Sequence, residues 1–355
     1  MKSCVRWSNM QENLIRTDLI IESIEVSKAS GKDAKITINE YTEDDMKITE
    51  AIVTKDQEAS FGKKAGTYIT IDTSAIVEND HEALLKIQKQ IAKQITKLME
   101  KHKITDDMLA LVVGLGNANV TPDALGPCVI EEIFVTKHLF DLHPEEIDRD
   151  GFRPVAAIQT GVMGNTGLES AEIVKAIIND VKPKFVIVVD ALASRSLNRV
   201  NKTIQISDAG ISPGSGVGNK RKELSKDTLG IPVISIGVPT VVDAVTITSD
   251  ALDLLMRHIA YNLKNDDPKN NLVPVHMSGK KDLENVELPD EEVRKSLFGE
   301  LGLLSNEEKQ KLIYEVLTPQ GLNYMVTTKE IDTNIADLTH IIARGINLAL
   351  HKNIN

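Results

Sequence analysis

Two aspartates stand where a carboxylate can do work. Asp123 lies in the string Leu-Val-Val-Gly-Leu-Gly-Asn-Ala-Asn-Val-Thr-Pro-Asp-Ala-Leu-Gly-Pro at residues 111–127, and Asp190 follows the apolar run Phe-Val-Ile-Val-Val at 185–189. Each apolar run reads as a buried strand, and each acid sits where its strand ends. The carboxyl ends of parallel strands share one rim, which is where open α/β sheets bind ligands. Two carboxyl groups brought together there cannot both ionise easily, so one pKa rises and the pair holds a shared proton. Such a pair can activate a water and protonate a leaving group. The bland reading is that each acid caps a helix or orients a loop. Asp243, behind Gly-Val-Pro-Thr at 237–240, is a third acid after a strand and reads as a cap for the helical region at 241–263.

Other chemistries fail on detail. Gly114-Leu115-Gly116 would open a dinucleotide fingerprint, but Asn119 replaces its third glycine. Gly-Ser-Gly-Val-Gly-Asn-Lys-Arg at 214–221 resembles a phosphate loop until Asn219 takes the glycine's place and Arg221 the hydroxyl's. The Gly-x-Ser-x-Gly elbow of a serine hydrolase is absent. Cys128 with His138 would make a thiol nucleophile, yet Cys128 falls on an apolar helical stretch where packing is the ordinary role. The histidines are scattered singly, with no His-Glu-x-x-His, so neither a dedicated metal site nor a cofactor is expected.

The elements that must position the acids follow from hydrophobic patterning. The chain has 355 residues, 41% hydrophobic and 26% charged, with only 3% aromatics, so its core is built from aliphatic side chains. A net charge of −11 argues against direct nucleic-acid binding, which needs a basic surface. No apolar run approaches the roughly 18 residues of a membrane span, and no signal segment opens the chain, so a cytoplasmic protein is expected. Two cysteines, Cys4 and Cys128, make no disulfide framework.

Alternating β-branched residues at 34–54 and 67–71 predict short antiparallel strands. Leu84, Leu85, Ile87, Ile91, Ile95 and Leu98 recur at the helical period over 82–99. Strands are predicted at 109–113, 155–158, 185–189, 203–206 and 233–236, and helices at 129–140, 168–181, 241–263, 306–317 and 329–350. The helix after Asp123 is not expected to begin before Pro127, since proline inside a helix loses a hydrogen bond. Residues 210–226 form a long Gly, Ser and Lys-rich loop, and 264–289 a polar excursion. Strands alternating with helices predict an α/β fold with a mostly parallel central sheet flanked by helices and additional antiparallel strands.

Five stretches together resemble a known family: residues 114–127, Val-Asp-Ala-Leu-Ala-Ser-Arg at 189–195, Thr-Ile-Gln-Ile-Ser-Asp at 203–208, Pro-Gly-Ser-Gly-Val-Gly-Asn-Lys-Arg-Lys at 213–222 and Gly-Val-Pro-Thr-Val-Val-Asp-Ala at 237–244. They resemble the germination protease of spore-forming bacteria, from Arg16-Thr17-Asp18-Leu19 nearly to the carboxyl terminus. A shorter likeness, Gly-x-Gly-Asn followed by an acid and Leu-Gly-Pro, links this family to the hydrogenase maturation endopeptidases. That link implies a shared α/β fold and leaves a maturation-type endopeptidase, acting on a metalloenzyme precursor, as the alternative reading. Ala118 departs from the larger aromatic side chain expected between Asn117 and Asn119.

The resemblance implies an aspartic-type endopeptidase of the spore core that degrades small acid-soluble spore proteins at germination. Its two acids fall on Asp123 and Asp190. It implies an autoprocessing zymogen, with residues 1–18 as propeptide, Asp18-Leu19 as the bond cut, and 19–355 as a single peptidase domain. It also implies a homotetramer. Lys220, Arg221 and Lys222 are expected to attract acidic stretches of substrate. A bound metal is a variation that exhaustive chelation would test.

Overall fold

The computed structural model describes residues 17–29, 36–73, 81–142, 151–214, 221–264, 286, 288–317, 324–352 and 354. Residues 1–16 of the expected propeptide, Lys220, and most of the excursion at 264–289 lie outside the described residues. The described residues fall into two compact units, one within 16–242 and 327–355, the other within 243–326.

The larger unit opens with α1 (Ile20–Ala29), then β1 (Thr37–Glu43), β2 (Met46–Val53) and β3 (Gly66–Asp72). Helix α2 (His81–Lys101), strand β4 (Ala110–Leu115), and helices α3 (Leu125–Glu131) and α4 (Lys137–Leu142) follow. Then come β5 (Val155–Gly161), α5 (Ser170–Val181), β6 (Phe185–Ser194), β7 (Thr203–Ser207) and β8 (Val233–Asp243). The smaller unit holds α6 (Ala244–Lys264), α7 (Glu291–Phe298) and α8 (Asn306–Leu317), and α9 (Ile331–Leu350) closes the larger one. Among the described residues, no helix is long and apolar enough to cross a membrane.

The strands lie in the order β1-β2-β3-β7-β8-β6-β4-β5. From β8 to β5 the neighbours are parallel, whereas β1 with β2, β2 with β3, β3 with β7 and β7 with β8 are antiparallel. The sheet is therefore not mostly parallel, and connection length explains why. A parallel neighbour needs a crossover of a dozen or more residues. β1 and β2 are joined by Asp44 and Asp45 alone, both with positive φ (50° and 67°), the backbone of a tight hairpin turn. β6 passes to β7 through residues 195–202, too few for a crossover helix.

Parallel strands β4 and β6 carry unbroken apolar runs because both faces are covered. Val112, Ile187 and Val189 face one side, where they meet Ile87, Ile91 and Ile95 of α2 and Leu338, Ile342 and Ile346 of α9. Leu111, Val113, Val186 and Val188 face the other side, with Val174 and Ile178 of α5. At the antiparallel end, Ile20 and Ile24 of α1 pack on Ala51, Val53, Phe61 and Tyr68. In the smaller unit, Asp290 caps α7 by accepting the Val293 N–H at 2.9 Å, and buried Lys309 of α8 pairs with Asp253 of α6.

Three predicted helix and strand bounds need correction. The helix after Asp123 begins at Leu125, two residues before Pro127. Pro127 lies in the first turn, where the missing N–H would have had no partner. The helix predicted over 129–140 is broken at 132–136. There Thr136 hands its backbone N–H to Val155 O, and its hydroxyl accepts the Val155 N–H and donates to Arg153 O. β8 continues to Asp243 instead of stopping at 236, and α1 was not anticipated from the pattern.

Candidate active site

Asp123 is positioned by a loop that doubles back on its own strand. Gly116, at φ 113°, turns the chain at the end of β4, and the Asn117 N–H then donates to Asp123 O at 3.0 Å. A Cβ on Gly116 would sit 2.0 Å from that oxygen, so only glycine fits. Thr121–Asp123 forms a short 3-10 turn, with Thr240 of β8 donating its hydroxyl to Pro122 O at 2.6 Å. Gly126 lets the first turn of α3 lie directly on the sheet. A side chain there would meet Leu115 O at 2.2 Å and Val189 O at 2.6 Å. This close approach carries the Asp123 loop over the end of β6.

Asp190 stands one residue beyond Val189, the last β6 residue paired with β4. It is only 6% exposed, and its carboxylate accepts the Ala191 N–H at 3.0 Å. Burial pushes the Asp190 carboxyl well above the usual carboxylate range, and the negative charges of Asp123 and Asp18 push it further. Burial also raises Asp123, against the opposing Asn117 N–H and Arg221. The charge of Asp123 thus acts on Asp190 at this rim, and Asp190, the deeper of the two, is the one whose neutral form its surroundings favour more strongly.

The third acid at this rim is Asp18 of the predicted junction. Its N–H donates to Ala193 O and its carboxylate accepts the Ala193 N–H, both at 2.9 Å, so the segment lies along the part of β6 that β4 leaves open. Gln205 of β7 donates through Nε2 to Asp18 O at 3.2 Å, while its Oε1 accepts the Ile20 N–H at 2.7 Å. Lys63 donates to Thr17 O at 2.9 Å; burial holds its ammonium below the usual range, against the pull of Asp18 and Glu22. Leu19 is fully buried. Buried Glu22 anchors the start of α1 by accepting from Arg195 N–H, Ser196 N–H and Arg199. A cleft of about 520 Å³ borders the junction, lined in part by Asp18, Lys63, Leu192, Gln205 and Gly237.

Sequence reasoning singled out Asp123, Asp190, Asp18 and Leu19 at this place; it did not single out Lys63 and Gln205, which contact the junction. The available signal for Gln205 was a long carboxamide side chain on the polar face of a strand that alternates Thr-Ile-Gln-Ile-Ser at 203–207. The predicted basic trio does not act as a unit. The Arg221 charge acts on both acids, whereas Lys222 donates to Glu172 at 2.7 Å and lies 3.9 Å from Glu169, on and beside α5. Asp243 is a helix cap, as expected, accepting the Val245 N–H at 2.7 Å. Cys128 packs against the main core, and burial with Glu131 and Glu132 raises its thiol, which disfavours the thiolate a nucleophile needs.

The chain is similar to known proteins over nearly its whole length. A family model described as germination protease matches residues 16–355. The germination protease of Bacillus licheniformis is 49% identical over 354 residues, covering 98% of this chain and 96% of that protein. Its counterpart from Bacillus pumilus is 50% identical over 351 residues, 96% of this chain and 94% of that one. The germination protease of Bacillus cereus strain B4264 is 49% identical over 348 residues, 96% and 95% respectively.

Proposed function

Since the chain belongs to the germination protease family and is an endopeptidase of spore germination, we propose that Asp123 and Asp190 are its catalytic pair and that Asp18-Leu19 is its own first substrate. The observation that carries this reading is the lie of the Asp18–Leu19 segment along β6, where Asp18 bonds to Ala193, three residues from Asp190, and its charge acts on Asp190. On this reading residues 1–18 are the propeptide and 19–355 the peptidase domain.

Asp123, the more exposed acid, takes a proton from water as the water oxygen bonds to the carbonyl carbon. The carbonyl π pair moves onto its oxygen. When the tetrahedral species collapses, the C–N bond breaks and Asp190 gives its proton to the departing nitrogen. A carboxyl group and an amine result, and return of the proton from Asp123 to Asp190 restores the starting state. The raised Asp190 carboxyl suits this role, because an acid must still hold its proton at the working pH.

The targets we propose are small acid-soluble spore proteins in the spore core, cut after an acidic residue followed by an apolar one, by an enzyme assembled as a homotetramer. The resemblance of the five long motifs supports this. The Gly-x-Gly-Asn loop further suggests that the parallel half shares its plan with the hydrogenase maturation endopeptidases.

The test is to hold the purified chain at mildly acidic pH, follow its mass, and then add a small acid-soluble spore protein. Loss of residues 1–18 followed by substrate cleavage, both abolished by Asp123→Asn or Asp190→Asn, is the expected result. Folded variants that cut at the wild-type rate would overturn the acid pair.

A further inference from the structure

We propose that Gln205 is a catalytic residue that grips the scissile peptide through one carboxamide and stabilises the oxygen of the carbonyl under attack. The inference rests on the reading of Asp18-Leu19 as the bond cut. The carbonyl of that bond belongs to Asp18, and it accepts from Gln205 Nε2 at 3.2 Å. The same carboxamide accepts the Ile20 N–H through Oε1 at 2.7 Å. The second contact fixes the first. An N–H needs an acceptor, so Oε1 must face Ile20, and the NH₂ group is left facing the Asp18 oxygen.

The strand register explains why a glutamine serves here. Gln205 on β7 pairs with Gly237 on β8, and Gly237 pairs with Asp190 on β6. Residues directly opposite in a sheet point to the same face, so Gln205 and Asp190 rise from one row with a side-chain-free position between them. Neighbouring strands are about 4.8 Å apart, which separates the two backbones by roughly 10 Å, and the Leu192 side chain lies over Gly237 between them. Gln205 is 9% exposed, and both edges of its strand are paired, with Thr70 opposite on β3. A donor held this rigidly needs no rearrangement as the carbonyl oxygen gains charge, and preorganisation of this kind gives a donor its catalytic value. Both grips fall on backbone atoms, so the same carboxamide would hold any chain threaded through the cleft, whatever its side chains.

The test uses the full-length chain with Gln205→Glu, which keeps the acceptor and replaces the donor, and Gln205→Met, which keeps the length and loses both. Self-cleavage at Asp18-Leu19 is followed by mass, and cleavage of a small acid-soluble spore protein gives kcat and KM. Loss of one such donor costs about 10²–10³-fold in kcat. That loss is expected in both variants, with KM changed far less and the melting temperature nearly unchanged. A folded variant that keeps kcat within tenfold of wild type, or loses activity through KM alone, overturns the proposal.

A further measurement leaves the protein intact. Wild-type enzyme is given a peptide containing Thr-Asp-Leu-Ile-Ile-Glu, and the same peptide N-methylated at the first isoleucine. At least a tenfold loss in kcat/KM is expected, and equal rates would refute the grip. If wild type cuts itself at another bond, the processing reading falls. The kcat of the variants on the added substrate then still decides the role of Gln205.

Discussion

On the proposed reading the two halves of the sheet do different work. The parallel half, β8 to β5, holds the acids at the rim where its strands end. The antiparallel half carries Gln205 on β7 and packs α1 on β2 and β3, and these hold the peptide. On that reading chemistry resides where long crossovers bring distant segments to one edge, and grip resides on an antiparallel strand paired on both sides. The division can be broken from either side.

The largest effect belongs to the parallel half. Asp190→Asn should lower both self-cleavage and substrate cleavage by about 10²–10⁴-fold, the range for a general acid, measured as kcat. The same variant should be more stable at neutral pH by about 1–3 kcal/mol, the scale of an under-satisfied buried polar group. The sign follows from the raised carboxyl. Neutral Asp190 contributes stability that is present below about pH 4, where the unfolded carboxyl is also protonated, and lost as pH rises through the folded value. The advantage of asparagine should vanish in acid, and unfolding midpoints taken from pH 3 to pH 7 would reveal it.

Ile20→Ala strikes the other half. Removing a side chain that is 1% exposed costs about 2–5 kcal/mol in a core. Self-cleavage should slow because the junction is held less firmly, while kcat on an added substrate stays near wild type. Equal loss in both reactions would mean that the halves do not divide the work. Gly126→Ala returns to the parallel half. Its Cβ would press on Leu115 O and Val189 O, so a loss of about 1–3 kcal/mol is expected, together with lower kcat as Asp123 is displaced.

The smallest effects sharpen the electrostatics. Arg221 favours the ionised form of both acids. Arg221→Gln should raise both carboxyl groups and move the acidic limb of the pH–rate profile to higher pH. Lys222→Ala should leave that profile where it is, since Lys222 is occupied by Glu169 and Glu172. A shift of the limb in the Lys222 variant would revive the expectation that the basic residues act together.

Much of the parallel half could be read directly from the chain. The unbroken runs at 109–113 and 185–189 identified two-sided burial, and the acids at their ends identified the rim. The helix at 82–99 followed from isoleucines at the helical period. What escaped depends on partners distant in sequence. The break at 132–136 arises because Thr136 bonds to Arg153 and Val155, and no local pattern reveals that. The mixed character of the sheet depended on how many residues join β6 to β7. Gln205 continues the polar face of a strand that alternates Thr-Ile-Gln-Ile-Ser, and nothing local marks its partners, because Asp18 and Ile20 lie 187 and 185 residues away.

The segment at Thr17 to Ile20 also bears on latency. A peptide tethered beside a site by a short stretch of chain acts as a competitor at an effective concentration of roughly millimolar. A separate protein arriving at micromolar concentration would meet odds of about a thousand to one against entry while that peptide stays in place. On the proposed reading, silence before processing needs no dedicated plug and no distorted centre. The chain would occupy its own cleft by mass action, and one cut, by freeing Thr17 and Asp18 to depart, would open the site to other substrates.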